Sequence, residues 1–152
     1  MTIWVDADAV PRAVKEILYR AAKRLELPVV LVANQSLSTP RHNPHVTSVR
    51  VPGGPDEADA HIAEHAAEGD LAITADIPLA AILVEQGVHV LDPRGEEYTE
   101  ENVGHRLSIR DFMESLRGSG VETGGPKPYG DREKQAFAAA LDRLLTAVLR
   151  ED

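Results

Sequence analysis

Five aspartates are spaced so that they could act on one substrate. Asp6 and Asp8 lie in WVDADAVPR (residues 4–12), at the end of the first strongly apolar stretch. Strand side chains alternate between faces, so a strand finishing in D-x-D sets both carboxylates on one side of the backbone. Two such anions repel each other by roughly 4 kcal/mol at about 4 Å and an effective dielectric of about 20. A proton, a basic neighbour, a helix N-terminus or a metal ion has to offset that. Asp76 ends another apolar stretch, LAITAD, and Asp56 and Asp59 share one face of the first turn of an expected helix. Carboxylate and water oxygens are the donors that hard cations prefer. Mg²⁺ or Mn²⁺ is therefore the expected cofactor, with Asp6, Asp8, Asp56, Asp59 and Asp76 as ligands. Asp6, Asp8, Asp59 and Asp76 are the expected catalytic set, for hydrolysis of a phosphodiester by metal-activated water with no protein nucleophile. Plainer readings stand beside this. Asp56 suits an N-cap, and Asp8 suits the cap of a helix behind Pro11. Asp6 and Asp76 interrupt strand ends with no helix expected immediately behind them.

The elements that must position these acids follow from hydrophobic spacing. TIWV reads as a short buried strand. Val14, Ile17, Leu18, Ala21, Ala22 and Leu25 mark one face of a helix that opens behind Pro11 and stops before Pro28. VVLVA (29–33) is a continuous apolar run of the kind found in covered parallel strands. A polar loop with two prolines leads to a third strand, VTSVRV (46–51). A helix is expected from about Asp56 to Glu68, then a strand LAITA (71–75), a short helix behind Pro78, and a strand VHVL (88–91). This order predicts an α/β fold with a mainly parallel sheet and helices on both faces. Its sites form at the carboxyl ends of the strands, where the acids lie. Beyond about residue 95 the pattern turns helical. Ser108-Ile109-Arg110-Asp111 resembles a capping box, residues 118–130 form a Gly/Pro-rich loop, and Asp131 suits the cap of a last helix carrying Phe137, Leu141, Leu144, Leu145 and Val148. A single domain over 1–152 is expected, with an α/β core over about 1–95 and a helical extension over about 96–152 packed on it.

Composition narrows the partners. The 152 residues carry a net charge of -9, which argues against nucleic-acid binding through a broad basic surface but not against an acidic, cation-filled nucleic-acid site. With no cysteine, disulfides, thiolate metal sites and Cys nucleophiles are excluded. No apolar run approaches a membrane span or signal segment, so no membrane association is expected and a cytoplasmic location is the natural reading. Asn34 and Ser36, after the second strand, are candidate substrate contacts, with Arg94 and Lys127 as candidate phosphate contacts. The bland account of these is pairing with nearby acids and ordinary turns.

The stretches IWVDADA, LVANQS, PDEADAHI, GDLAITADIPLA, LDPRGEEYT, RDFMESLR and TGGP resemble, together and in order, the uncharacterised bacterial YaiI/YqxD family over about residues 3–145. The resemblance implies a PIN-like three-layer α/β/α fold, related to ribonuclease domains that use an acid ending strand one, an acid on a central helix and an aspartate in a T-x-D strand end. Asp6 with Asp8, then Asp56 or Asp59, then Thr74-Ala75-Asp76 match those positions, and RNA is the substrate it favours. Family members often carry Cys before the opening proline, where this chain has Val10, so no thiol mechanism transfers.

Two other functional classes remain open. A non-catalytic RNA- or protein-binding module would keep the fold without turnover. A haloacid-dehalogenase-like phosphatase would use Asp6 as nucleophile, although no lysine lies between Lys23 and Lys127 to serve it. His61 and His65 match the H-x-x-E-H zinc pattern, but no third ligand is placed, and solvent-facing histidines account for them better.

Overall fold

The structure, a computed structural model, describes residues 1–122 and 128–150. Its elements are β1 (Ile3–Asp6), α1 (Arg12–Leu25), β2 (Val29–Ala33), β3 (Val46–Arg50), α2 (Glu57–His65), β4 (Leu71–Ile73), α3 (Ile77–Glu85), β5 (His89–Leu91), β6 (Glu97–Tyr98), α4 (Glu100–Gly118) and α5 (Asp131–Arg150). They build a three-layer α/β/α arrangement around one sheet of order β3-β2-β1-β4-β5-β6. The first five strands pair in parallel, and β6 adds an antiparallel edge.

Alternation along each strand sorts the core into two halves. Ile3, Val5, Leu31, Leu71 and Ile73 face α1 and α5, where Val14, Leu18, Phe137, Leu141 and Leu145 cover them. Val32, Ala72 and Val90 face the other way, onto Ile62 of α2 and Leu79, Ala80 and Leu83 of α3. With both faces covered, the strands read as near-continuous apolar runs, as parallel sheets do. Asp6 and Thr74 have the parity of this second face. Phe137 is fully buried, so the last helix belongs to the core as its stripe of apolar residues predicts.

Several boundaries differ from those the sequence predicts. The fourth residue of β1 is Asp6 itself, so the first carboxylate is held in the ladder, not beyond it. α2 ends at His65, short of Glu68. α4 starts at Glu100, capped by Thr99, whose side chain accepts from the Asn102 N–H while the Asn102 side chain accepts from the Thr99 N–H. Ser108 and its neighbours therefore lie inside a helix and cap nothing. Thr99 won because it immediately follows a strand, where an N-cap in extended conformation costs the chain no reversal. Trp4 is half-buried; its indole N–H donates to Asp70 Oδ2 at 3.1 Å, satisfying its one polar atom.

Gly95 shows how closely α5 approaches the β5–β6 turn. Its φ of +92° is left-handed, and a Cβ there would stand 2.7 Å from the carbonyl oxygen of Ala136. Among the described residues no helix is long and apolar enough to cross a membrane.

Candidate functional site: a carboxylate cluster at the switch point of the sheet

From β1 the chain crosses through α1 to β2 on one side, and from β3 through α2 to β4 on the other. β1 and β4 therefore flank the point where the winding reverses, and in open α/β sheets ligands bind outside the carboxyl ends of such strands. Asp6 ends β1 there, and Thr74 follows β4. Their register neighbours, Val5 and Ile73, are paired directly.

Asp6 is 7% exposed and Thr74 fully buried. The Thr74 hydroxyl donates to Asp6 Oδ2 at 3.2 Å, and the Asp76 N–H donates back to the same hydroxyl oxygen at 3.1 Å. Thr74 thus ties the end of β4 to the end of β1. Asp76 then caps α3, its Oδ1 accepting from the Leu79 N–H at 2.9 Å. This corrects the expectation that no helix starts behind Asp76. Pro78 lies within the first turn, where its missing N–H is not needed.

The expected caps do not cap. Asp56 occupies the N-cap position of α2 in a left-handed conformation, φ 65°, and its side chain makes no cap hydrogen bond. Asp8 leaves α1 to Pro11, which has no side-chain cap to offer. The Asp8 carboxylate instead accepts from the Asn34 N–H at 2.8 Å and from Gln35 Nε2 at 3.2 Å, clamping the end of β2 to the loop behind β1. Asn34 and Ser36 are both exposed in this loop.

Asp59, on the first turn of α2, closes the cluster. Burial, then the charge of Asp76, then a side-chain hydrogen bond with Asp76, with smaller effects from Asp6 and Asp56, push its carboxyl up to about 7. Asp6 is likewise raised, chiefly by burial, against the lowering effect of Thr74; the charges of Asp76 and Asp8 push in the same direction as burial. Asp56, Asp59 and Asp76 line a cleft of about 430 Å³ whose other walls are apolar side chains of α2 and α3, including Ala63 and Leu79, with Arg110 of α4 at its rim. Arg110 pairs with Glu114 at 3.1 Å and Asp111 at 3.4 Å.

The remaining candidates stand apart. Arg94 lies in the β5–β6 turn, 3.8 Å from Glu133 of α5, with its guanidinium over the Tyr129 ring. Lys127 lies outside the described residues. His61 and His65 stack ring on ring with centroids 4.0 Å apart, beside Trp4. Among the described residues no three His, Asp or Glu side chains stand ready around one ion position, at the carboxylates or at these histidines. Sequence reasoning missed the linking role of Thr74, although T-x-D two residues before a cap was the signal. It also missed Asp92, a buried acid after β5 whose Oδ1 accepts from the Arg94 and Glu96 N–H groups at 2.9 Å each and so holds a turn.

Comparison with known proteins adds relatives but no named activity. A sequence profile described as "Uncharacterized BCR, YaiI/YqxD family" matches residues 4–147. The chain is 57% identical over 152 residues to a "UPF0178 protein" of Myxococcus xanthus, covering 100% of this chain and 99% of that one. It is 56% identical over 151 residues to the "UPF0178 protein" of Trichlorobacter lovleyi and 58% identical over 151 residues to that of Citrifermentans bemidjiense, each covering 99% of this chain and 97% of the relative. No solved structure shows a significant match.

Proposed function

Because the chain belongs to the YaiI/YqxD family, whose name states no activity, its function has to come from the site, and we propose a divalent-metal-dependent phosphodiesterase that acts on RNA. One observation carries the reading. Asp6 and Asp76 are tied together at the switch point of the sheet through Thr74, and Asp59 lines one cleft with Asp76, its carboxyl pushed up to about 7 by burial and then by the charge of Asp76. The donors are all carboxylate oxygens, the set that Mg²⁺ and Mn²⁺ favour, so the residues fit the ion in chemistry. Asp6, Asp59 and Asp76 would hold it, with Asp56 and Asp8 at the margins. When bound, the ion supplies positive charge to the phosphodiester oxygens and makes a water more acidic.

The protein's own groups do the rest. Thr74 fixes the Asp6 carboxylate by its hydroxyl, and the cap bond to Leu79 N–H fixes Asp76. The apolar walls beside the carboxylates would exclude water around a bound nucleotide.

A second reading, the binding module without turnover, is favoured by the lack of a ready three-ligand arrangement among the described residues. Mn²⁺ titration by calorimetry separates the two, on wild type and on Asp76→Asn. Asn ranks with Asp at N-caps, so the variant keeps α3 and its fold, which circular dichroism checks. The phosphodiesterase reading expects saturable Mn²⁺ binding that Asp76→Asn abolishes, with Mn²⁺-dependent cleavage of RNA lost in parallel. Absence of both binding and cleavage in wild type would leave the binding module.

A further inference from the structure

A second cleft, of about 500 Å³, lies between the first two turns of α1 and the loop that joins β2 to β3. Its chemistry is opposite to that of the carboxylate cluster. Arg12 and Lys15 line one wall and Ser38 and Thr39 the other. Tyr19 and Leu37, both packed against the core at their bases, give it an apolar floor. Its one acid is Glu16, 3.6 Å from Arg12, whose side chain is 92% exposed. Such an exposed pair contributes little and is easily exchanged for a better anion. Lys15 forms no ion pair with any described residue. In a chain of net charge -9, this cleft carries two cations to one anion.

The loop wall is braced. Buried Asn43 donates from Nδ2 to the Tyr19 carbonyl at 2.7 Å and accepts the His45 N–H at 3.3 Å, and Ser48 Oγ donates to the Leu37 carbonyl at 3.4 Å. At its start the loop is held by Asp8, through Asn34 and Gln35. Asp8 precedes Arg12 by four residues and Asn34 precedes Leu37 by three, so both walls of the cleft start close in sequence to the Asp8 clamp.

We propose that this cleft takes one nucleotide unit of a single-stranded nucleic acid whose strand runs on to the carboxylates. Its phosphate is held by Arg12, Lys15 and the Ser38 and Thr39 hydroxyls, and its sugar and base lie against Tyr19 and Leu37. The assignment rests on the phosphodiesterase reading of the carboxylate site. It meets a need that site creates, since five acids repel a polyanion everywhere except where a cation sits. Single strands bind through such combinations of phosphate contacts and an aromatic face.

The test is the double variant Arg12→Glu/Lys15→Glu, whose new acids suit a helix N-terminus and so leave α1 intact. Binding of a short labelled single-stranded oligoribonucleotide is measured by fluorescence anisotropy in Ca²⁺ at several salt concentrations. Mn²⁺-dependent hydrolysis of bis(p-nitrophenyl) phosphate, a diester too small to span both sites, is measured beside it. The variant is expected to bind the oligonucleotide at least about tenfold more weakly, with the slope of log affinity against log salt reduced by about 0.7, the loss of one neutralised phosphate. Ester hydrolysis stays unchanged. Unchanged oligonucleotide affinity overturns the assignment, and so does a wild type that binds no oligonucleotide. An equal loss of ester hydrolysis places the effect at the carboxylates and overturns it too. A wild type that binds the strand through Arg12 and Lys15 yet hydrolyses no ester upholds this cleft and removes the phosphodiesterase reading.

Discussion

The hydroxyl of Thr74 stands 3.2 Å from Oδ2 of Asp6, joining residues 68 apart in sequence inside the core. Thr74 is fully buried and Asp6 nearly so, so water replaces the bond poorly if the hydroxyl is removed. Thr74→Val keeps the volume and strands a buried carboxylate oxygen and the Asp76 N–H together. It should cost about 1–3 kcal/mol. Urea denaturation of Thr74→Val and Thr74→Ser measures it, with Thr74→Ser expected to retain most of the stability.

Asp59 gives the protein a pH dependence opposite to that of a salt-bridged acid. Its carboxyl is raised to about 7 from an ordinary 3.8, first by burial and then by Asp76. Between those values the folded chain binds a proton that the unfolded chain has released. Stability therefore falls as pH rises from about 4 to about 7, and the loss is complete above that. Asp59→Asn keeps a donor facing Asp76 and carries no charge. It should flatten this part of the profile and be more stable than wild type at pH 8, read as the urea midpoint across the range.

Asp76 holds two jobs that substitutions can separate. As the cap of α3 it accepts the Leu79 N–H, so Asp76→Ala should cost about 1 kcal/mol and Asp76→Asn only a few tenths. In a domain of this size about 1 kcal/mol lowers Tm by roughly 2–4 °C. Calorimetric scans of both variants give the cap together with the relief of Asp76's charge on Asp59 and Asp6, and their difference gives the cap, against which any loss of Mn²⁺ binding in Asp76→Asn is judged.

Two glycines should respond to alanine with opposite sign. Gly95→Ala drives a Cβ against the Ala136 carbonyl in a left-handed backbone and should lose more than about 1 kcal/mol. Gly104 sits inside α4 with nothing within 4 Å of its Cβ position, so Gly104→Ala should gain about 0.5–1 kcal/mol. Denaturant midpoints of the pair check whether α5 is seated on the β5–β6 turn as described.

The sequence by itself determined most of the elements, though neither β6 nor the start of α4, and the edge of the sheet on which the acids fall. The apolar runs at 29–33 and 71–75 and the helical stripe at Val14, Ile17, Leu18 and Ala21 are local patterns, and each became an element of the kind it predicted, the second strand stopping at Ile73. The stripe on the last helix likewise announced the burial of Phe137 and Leu145. Which acids meet was left to the tertiary structure. Asp6 and Thr74 touch because β1 and β4 are neighbours in register, a pairing across 68 residues that no local pattern encodes. The caps were reversed for the same reason. Asp8 is drawn to the end of β2 and Asp56 makes no side-chain cap bond, while Asp76 meets the N–H groups of α3. Residue type states what a carboxylate can accept; only the packed chain decides which donors are within reach, and charge repulsion among Asp6, Asp59 and Asp76 exists only once the fold has brought them together.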